Sequence, residues 1–427
     1  MSKGYAWTVF ALGFGLLLSD YMSRQVLNAA FPLLKAEWLL SDAALGSLSG
    51  IVALAVGVFT FPMSLMADRW GRVRSLLLAA TMWSLATLGC AISASYGEMF
   101  VGRLFVGIGE AAYGSVGIAV VLSIFPVTLR ATLSGAFIAG GAFGSVLGVV
   151  VGGAVAQVAG WRWAFATMGI FGLVLAAVYA VVVKESRLAP RGRPSGGDDG
   201  AAAHGRLRTH LPRLFSSVSV ISAYVGSGLQ LFIAGALLSW LPSFFNRYYH
   251  MAPGKAGGAA GAFAMIICLG MIFGGVASDR ISSTAPIRKW AVAAGCSLGA
   301  LLLLTLAFQL PTGPAQLLAL AAGCLLSAGS AGPAAAMVAN LTPASIAATA
   351  FATLTLANSL LGLAPGPAVT GPLADRFGLL GALRIVPLVA VAATLAFLVG
   401  RHWYDRDLLR LADLTAKAET KHPSEVL

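Results

Sequence analysis

Two stretches of this 427-residue chain place ionisable side chains at helical spacing within apolar sequence. In the first, Asp20, Arg24 and Asn28 recur every four residues and therefore share one face of a helix. In the second, Arg103 and Glu110 are seven residues apart, which separates them by about 10.5 Å along a helix on nearly the same face. A charged side chain in apolar surroundings is costly unless it is paired or reaches water. We therefore expect these side chains to line a wet cavity or to pair with one another.

The chemistry of each side chain suggests its role. A buried carboxyl group can carry a proton, and Glu110 is the first candidate for this role. Asp20 is the second, because Arg24 follows it at a spacing that allows an ion pair and would hold it ionised. An arginine in a cavity favours an anion as ligand. The alternative is a buried ion-pair network between the two helices, with Arg103 as its most structural member. The expected ligand-binding residues of these stretches are Arg24, Asn28, Arg103 and Tyr113.

The apolar stretches in the second half of the chain carry amide side chains instead of charges. Gln230, Asn340 and Asn358 are the polar candidates for substrate contact there. An amide in such a stretch more often makes a hydrogen bond between helices than a contact with a ligand. The pattern therefore predicts charge chemistry in the N-terminal half and selection by shape in the C-terminal half.

The composition indicates a membrane protein. Hydrophobic residues make up 58% of the chain and charged residues 10%, and the mean hydropathy is +0.85. Soluble domains carry about 25% charged residues. The four cysteines lie in apolar runs without a CxxC pair, and the five histidines lie outside or at the ends of those runs, so we expect neither disulfides nor a metal site. Because the apolar runs show no nucleophile–base pair and the chain has no phosphate-binding loop, we expect neither an enzyme nor a cofactor.

Twelve apolar runs are long enough to cross a membrane, which takes about 20 residues each. Long unbroken runs predict helices rather than the alternating short strands of a membrane barrel. Most Lys and Arg residues fall on one side when both termini are cytoplasmic, so the net charge of +12 indicates topology rather than nucleic-acid binding. The predicted spans lie near 6–34, 43–66, 75–95, 98–124, 131–158, 162–184, 216–245, 256–278, 288–310, 315–339, 345–370 and 379–400.

The spans divide into two sets of six. Residues 1–184 form the predicted N-terminal six-helix bundle, and residues 216–400 form the C-terminal one. Between them lies a polar stretch rich in Gly, Pro and Ser, 185–215, which is predicted to be a cytoplasmic linker. Residues 401–427 form a charged cytoplasmic tail.

One loop motif occurs four times. It places a small residue four positions before Asp68 and a glycine three positions after it. Its copies are centred on Gln157, Asp279 and Asp375, and the copy at Asp279 repeats only the front of the motif. The copies alternate sides of the membrane, as inverted three-helix repeats within each half require. On the inner side the motif can act as a conformational latch, with Asp68 bonded to the amides at the start of a neighbouring helix. Alternatively, it is a charged turn that only fixes topology. The predicted latch residues are Asp68, Arg69, Gly71, Arg72, Arg74, Asp279 and Arg280.

The repeated motif and the two halves resemble the major facilitator superfamily of secondary transporters over essentially the whole chain. The pair Arg24-Gln25 and the run from Arg103 to Ala111 resemble two groups within it: spinster-like transporters of amphiphiles, and anion:cation symporters that import organic acids with protons. Both groups usually place Asp directly before the first arginine, whereas this chain has Ser23 there.

The resemblance implies an all-α fold of twelve transmembrane helices in two bundles, working by alternating access. The expected function is proton-coupled transport of a small organic anion across the inner membrane by a multi-pass monomer. Its partners would be the substrate, protons and membrane lipids, with no nucleic acid, cofactor or metal. The alternatives are a spinster-like carrier of lysolipids and a non-transporting receptor on the same fold.

Overall fold

The computed structural model describes residues 3–184 apart from 112, 114–115, 118–119, 121–123 and 126, and then residues 217–342 and 347–421. This part of the chain is almost entirely helical, which confirms the all-α fold. The helices are α1 (Lys3–Trp38), α2 (Asp42–Trp70), α3 (Arg72–Ile92), α4 (Tyr96–Ala111), α5 (Val127–Ala159), α6 (Trp161–Val182), α7 (Val218–Tyr248), α8 (Pro253–Ile281), α9 (Arg288–Gln309), α10 (Pro314–Ser327), α11 (Ala331–Asn340), α12 (Ala347–Asn358), a π-helical turn (Ser359–Leu363), α13 (Pro365–Ile385), a 3₁₀ turn (Val386–Leu388) and α14 (Val389–Lys421).

The helices agree with the predicted number of spans. Ten regions of the described chain are long and apolar enough to cross a membrane. One of them, Thr349–Leu411, has 63 residues and must cross twice, because a span needs only about 20. Its turn lies at Gly378, within α13. Helix α4, which ends at Ala111, covers the first part of the predicted fourth span, 98–124.

The glycines of the loop motif make the sharp turns between spans. Gly71, Gly160 and Gly378 have φ values of 92°, 88° and 74°, a backbone conformation that side chains disfavour. At each of them one helix ends and the next begins without an intervening loop. The fourth copy has Ser282 at this position with φ of −92°, and there a longer turn separates α8 from α9. The glycine therefore determines how tightly two spans are joined.

Helices from the two halves contact each other in two similar seams. In one, α2 packs against α13, and in the other, α5 packs against α8. Glycines allow the backbones to approach closely: a Cβ atom on Gly50 would lie 2.6 Å from the Ala364 carbonyl oxygen, and one on Gly257 would lie 2.7 Å from that of Val149. We call the end of the molecule that carries Asp42 the Asp42 end, and the opposite end the Asp279 end.

Candidate functional site

The centre of the N-terminal half holds an ion pair between α1 and α4. The Nε and Nη2 atoms of Arg24 both donate to Oε2 of Glu110, over 2.9 and 2.7 Å. The Glu110 side chain is fully buried, whereas 19% of the Arg24 side chain is exposed. The expected pairing of Arg24 with Asp20 is therefore wrong as a hydrogen-bonded contact. Glu110 on the neighbouring helix accepts both guanidinium bonds instead.

Asp20 completes a group of three charged side chains. It is buried, and it lies close enough to Glu110 and Arg24 to interact electrostatically with both. One oxygen of each carboxyl, Oδ1 of Asp20 and Oε1 of Glu110, has no hydrogen-bond partner in the described protein. A hydrogen bond between two carboxyl groups requires a proton on one of them, because an ionised carboxylate only accepts. The arrangement can thus hold one shared proton beside one guanidinium.

Two side chains that the sequence analysis passed over border this group. The guanidinium of Arg24 lies over the ring of Tyr21, 5.3 Å from its centroid. Cys268 on α8 is partly exposed and close enough to Tyr21 to interact with it electrostatically. Tyr21 lies three residues before Arg24, so helical spacing could have identified it, whereas Cys268 comes from the other half of the chain. The site therefore extends from α1 towards α8.

Arg103 and Tyr113 lie in seams between helices rather than beside the exposed edge of Arg24. The fully buried guanidinium of Arg103 donates to the carbonyl oxygens of Ser23 and Arg24, each over 2.9 Å, and to that of Leu48 over 3.4 Å. The buried Tyr113 hydroxyl donates to the carbonyl oxygen of Gly13. In this conformation their donors are bonded to backbone, so the expectation that Arg103 and Tyr113 bind substrate stays a prediction. Carbonyl oxygens from the helix backbone satisfy their donors, and Arg103 holds α1 at the residue that carries the exposed cation.

Asn28 takes part in a hydrogen-bonded chain that crosses between the halves. Its Nδ2 donates to Oε1 of Gln25 over 2.6 Å, and its Oδ1 accepts from the hydroxyl of Ser49 over 3.2 Å. The Ser49 hydroxyl is also 3.1 Å from that of Ser239 on α7. Asn28 thus lies next to the charged group along α1, with its amide occupied by protein partners.

The structure does not bring the three amides of the second half together. Gln230 on α7 is fully buried, and neither its Oε1 nor its Nε2 has a hydrogen-bond partner among the residues that the structure describes. Asn340 is exposed at the end of α11. Asn358 is half-buried and directly precedes the π-helical turn. The role of these three amides in substrate contact therefore stays a prediction.

The loop motif joins the halves at the Asp42 end. The carboxylate of Asp375 accepts from the amides of Asp42 and Ala43, at the start of α2, over 2.7 and 2.8 Å. At the equivalent place in the other seam, Oε1 of Gln157 accepts from the amide of Gly254, at the start of α8, over 2.9 Å. A carboxylate at a helix start satisfies unpaired amides and interacts favourably with the helix dipole. These two copies therefore close the Asp42 end.

The copies predicted to form the latch lie at the opposite end. Asp279 is 76% exposed, and its described ion pair is with Lys289, 3.2 Å away and just past the same turn. Arg72, Arg74 and Arg280 are exposed as well. The side chains of Asp68 and Arg69 lie outside the described residues. The latch thus remains a prediction, and in this conformation Asp279 is not the copy that joins the halves.

An ion cluster lies beside the Asp375 contact. The buried carboxylate of Asp42 accepts from Nζ of Lys35 over 2.6 Å and from Nη2 and Nη1 of Arg247 over 2.6 and 2.8 Å. Lys35 is on α1 and Arg247 is on α7, so the cluster crosses between the halves. Sequence reasoning had assigned the two cations to membrane topology. Within the described ranges, no group of three His, Cys, Asp or Glu side chains could hold a metal ion.

Comparisons with known proteins agree on one family. The sequence model of the Major Facilitator Superfamily matches residues 13–367. The chain is 26% identical to a probable L-galactonate transporter of Escherichia coli K12 over 298 residues, 67% of this chain and 66% of that protein. It is 26% identical to protein spinster homolog 1 of Xenopus tropicalis over 286 residues, 65% of this chain and 52% of that protein.

A further relative and a solved structure complete the comparison. The uncharacterized transporter EfpA of Mycobacterium tuberculosis is 30% identical over 186 residues, which span 43% of this chain but only 35% of EfpA. A bacterial homolog of the human lysosomal transporter Spinster, inward-facing and unoccupied, superposes with a TM-score of 0.84 at 20% identity, covering 95% of this chain and 99% of the other. At that identity the likeness shows the fold.

Proposed function

Since the chain belongs to the Major Facilitator Superfamily, and is thus a multi-pass membrane transporter working by alternating access, we propose that it carries a small organic anion together with a proton. The observation that supports this most is the proximity of Arg24, Glu110 and Asp20, in which one partly exposed cation lies close to two buried carboxyl groups. Hexuronates and aldonates such as L-galactonate are the cargo class that relatives suggest.

The proton and the anion are coupled through competition for Arg24. A cargo carboxylate that binds the guanidinium displaces Glu110 from it. Glu110 is fully buried, and a buried carboxylate without its cation is unfavourable, so it takes up a proton. The nearby carboxyl of Asp20 offers that proton a second acceptor. When the proton leaves, Glu110 returns to Arg24 and the anion is released. Anion and proton therefore move together.

We also propose the orientation and the moving parts. The Asp42 end faces the periplasm, both termini are cytoplasmic, and the membrane is the bacterial inner membrane. Residues 1–184 and 216–400 then move as the two bodies that rock about the cargo, joined by the linker 185–215. The closed seams at the Asp42 end correspond to an inward-facing state, the state of the superposed Spinster homolog.

A spinster-like carrier of lysolipids is the second candidate. The described C-terminal half favours it, because the buried polar residues of α7, Gln230 among them, are uncharged, and an uncharged interior would suit a lipid tail. The arginine would then bind the phosphate of the headgroup rather than a sugar acid.

Uptake by the purified protein in liposomes tests these alternatives. We expect labelled D-glucuronate or L-galactonate to accumulate when the lumen is made alkaline, with valinomycin and potassium holding the membrane potential at zero. Empty liposomes and equal pH on both sides are the controls. Uptake of lysophosphatidylcholine instead of either acid would favour the second candidate. Binding of an acid without exchange across the membrane would favour a receptor and contradict transport.

A further inference from the structure

The ion cluster at the Asp42 end contains more cations than the closed state needs. The Asp42 side chain is 3% exposed, and both of its oxygens are already bonded by Arg247 of the other half. Lys35 shares Oδ1 with Arg247, so two cations lie close to each other on one carboxylate atom. Like charges that are this close repel.

The three residues separate unequally when the Asp42 end opens. Lys35 and Asp42 belong to the same half and are seven residues apart, at the turn between α1 and α2. Arg247 belongs to the other half and moves away with α7. Without Lys35, opening would leave Asp42 with neither of the cations that it contacts here, and separating a buried carboxylate from its last cation is unfavourable.

We infer that Lys35 and Arg247 are positioning residues that compete for Asp42 and thereby set the balance between closed and open states of the Asp42 end. Arg247 stabilises the closed state, because it is the only one of the three on the opposite half. Lys35 stabilises the open state, since it keeps Asp42 paired after Arg247 has left. It also weakens the closed state by repelling Arg247. This inference requires alternating access but not any particular cargo.

Two variants that each remove one positive charge should shift the equilibrium between closed and open states in opposite directions. If both cations only held the halves together, both variants would favour the open state. Spin labels on unnatural amino acids at the exposed residues Ala36 and Thr312, one in each half, would report the distance across the Asp42 end and leave the native cysteines in place. The long-distance fraction is the share of molecules in which the two labels are far apart, as in the open state. Arg247→Gln should raise this fraction about tenfold, a typical size for coupling between two conformational states. If that variant fails to fold, Arg247→Lys should give a smaller shift of the same sign.

Lys35→Gln should lower the long-distance fraction several-fold. It is best measured in an Asp375→Asn background, which weakens the cap on α2 and raises the open population. Arg162→Gln is the matched control, because Arg162 pairs with Glu37 of its own half, and it should shift nothing. A shift of Lys35→Gln in the same direction as Arg247→Gln, or no shift in either, would overturn the inference.

Discussion

The interiors of the two halves differ in kind. The N-terminal half holds the ion pair of Arg24 and Glu110, with the buried carboxyl of Asp20 close to it. The described interior of the C-terminal half holds a neutral amide, Gln230, that is fully buried and has no hydrogen-bond partner. The two halves share a fold and a repeated loop motif, so this difference is not a consequence of architecture. It is the difference expected if, as we propose, one half recognises charge and couples the proton while the other selects by shape.

The largest effect is expected from removing the exposed cation. Arg24→Gln should weaken binding of D-glucuronate by roughly 10- to 100-fold, because a hydrogen-bonded contact to a charged group contributes about 1.5–3 kcal/mol. Arg24→Lys keeps the charge but loses the forked geometry, so its affinity should lie between that of Arg24→Gln and that of the wild type. Calorimetric titration of the purified proteins measures this. Unchanged affinity in Arg24→Gln would show that the anion binds at another place.

Asp20→Asn should have a smaller effect that is confined to coupling. The asparagine still offers a hydrogen bond to Glu110 but cannot exchange a proton. Accumulation driven by a pH difference should fall several-fold, whereas exchange of labelled for unlabelled cargo should stay within about twofold of wild type. The ratio of the two rates in liposomes is the measurement. Equal losses in both assays would mean that Asp20 supports the fold rather than the coupling.

Arg103→Gln should affect stability more than affinity. Three carbonyl oxygens lose a buried charged donor, which costs on the order of 3 kcal/mol. The melting temperature in detergent should fall by several degrees. Because Arg103 holds the backbone at Arg24, cargo affinity should fall by no more than a few-fold. A large loss of affinity at an unchanged melting temperature would show that Arg103 binds the cargo directly.

The smallest effect should follow a change in the C-terminal half. Gln230→Leu replaces a buried amide that has no described partner with an apolar side chain of similar size. Such a replacement is nearly neutral or stabilising by about 1 kcal/mol. Melting temperature and uptake should both match or exceed the wild type. If uptake is lost, the contrast between the halves is wrong and Gln230 belongs to the cargo site.

Much of the fold could be read from the sequence, because long apolar runs and the spacing of the loop motif depend on local chemistry. The glycines at 71, 160 and 378 were predicted as parts of a repeated turn, and all three have positive φ. The helix periodicity also identified Arg24 and Glu110 as polar residues of two apolar helices. It could not show that they meet, because contact between α1 and α4 depends on how the two helices pack.

The residues that sequence reasoning misplaced have one feature in common: their role depends on distant neighbours. Arg103 has a side chain of the kind that binds anions, but its guanidinium donates to backbone carbonyl oxygens of α1 and α2. Lys35 and Arg247 lie at the ends of spans, where basic residues usually set topology. Only the packing of α2 beside α7 shows that both bind Asp42.

The central claim is that Glu110 carries the coupling proton, and one comparison in liposomes tests it most directly. Glu110→Gln imitates the protonated carboxyl and should still bind D-glucuronate and exchange it across the membrane. It should fail to accumulate the acid when a pH difference is the sole driving force. Retained exchange with lost accumulation is the predicted result. If Glu110→Gln still concentrates the acid against its gradient under a pH difference alone, Glu110 is a structural partner of Arg24 and the proton does not travel through it.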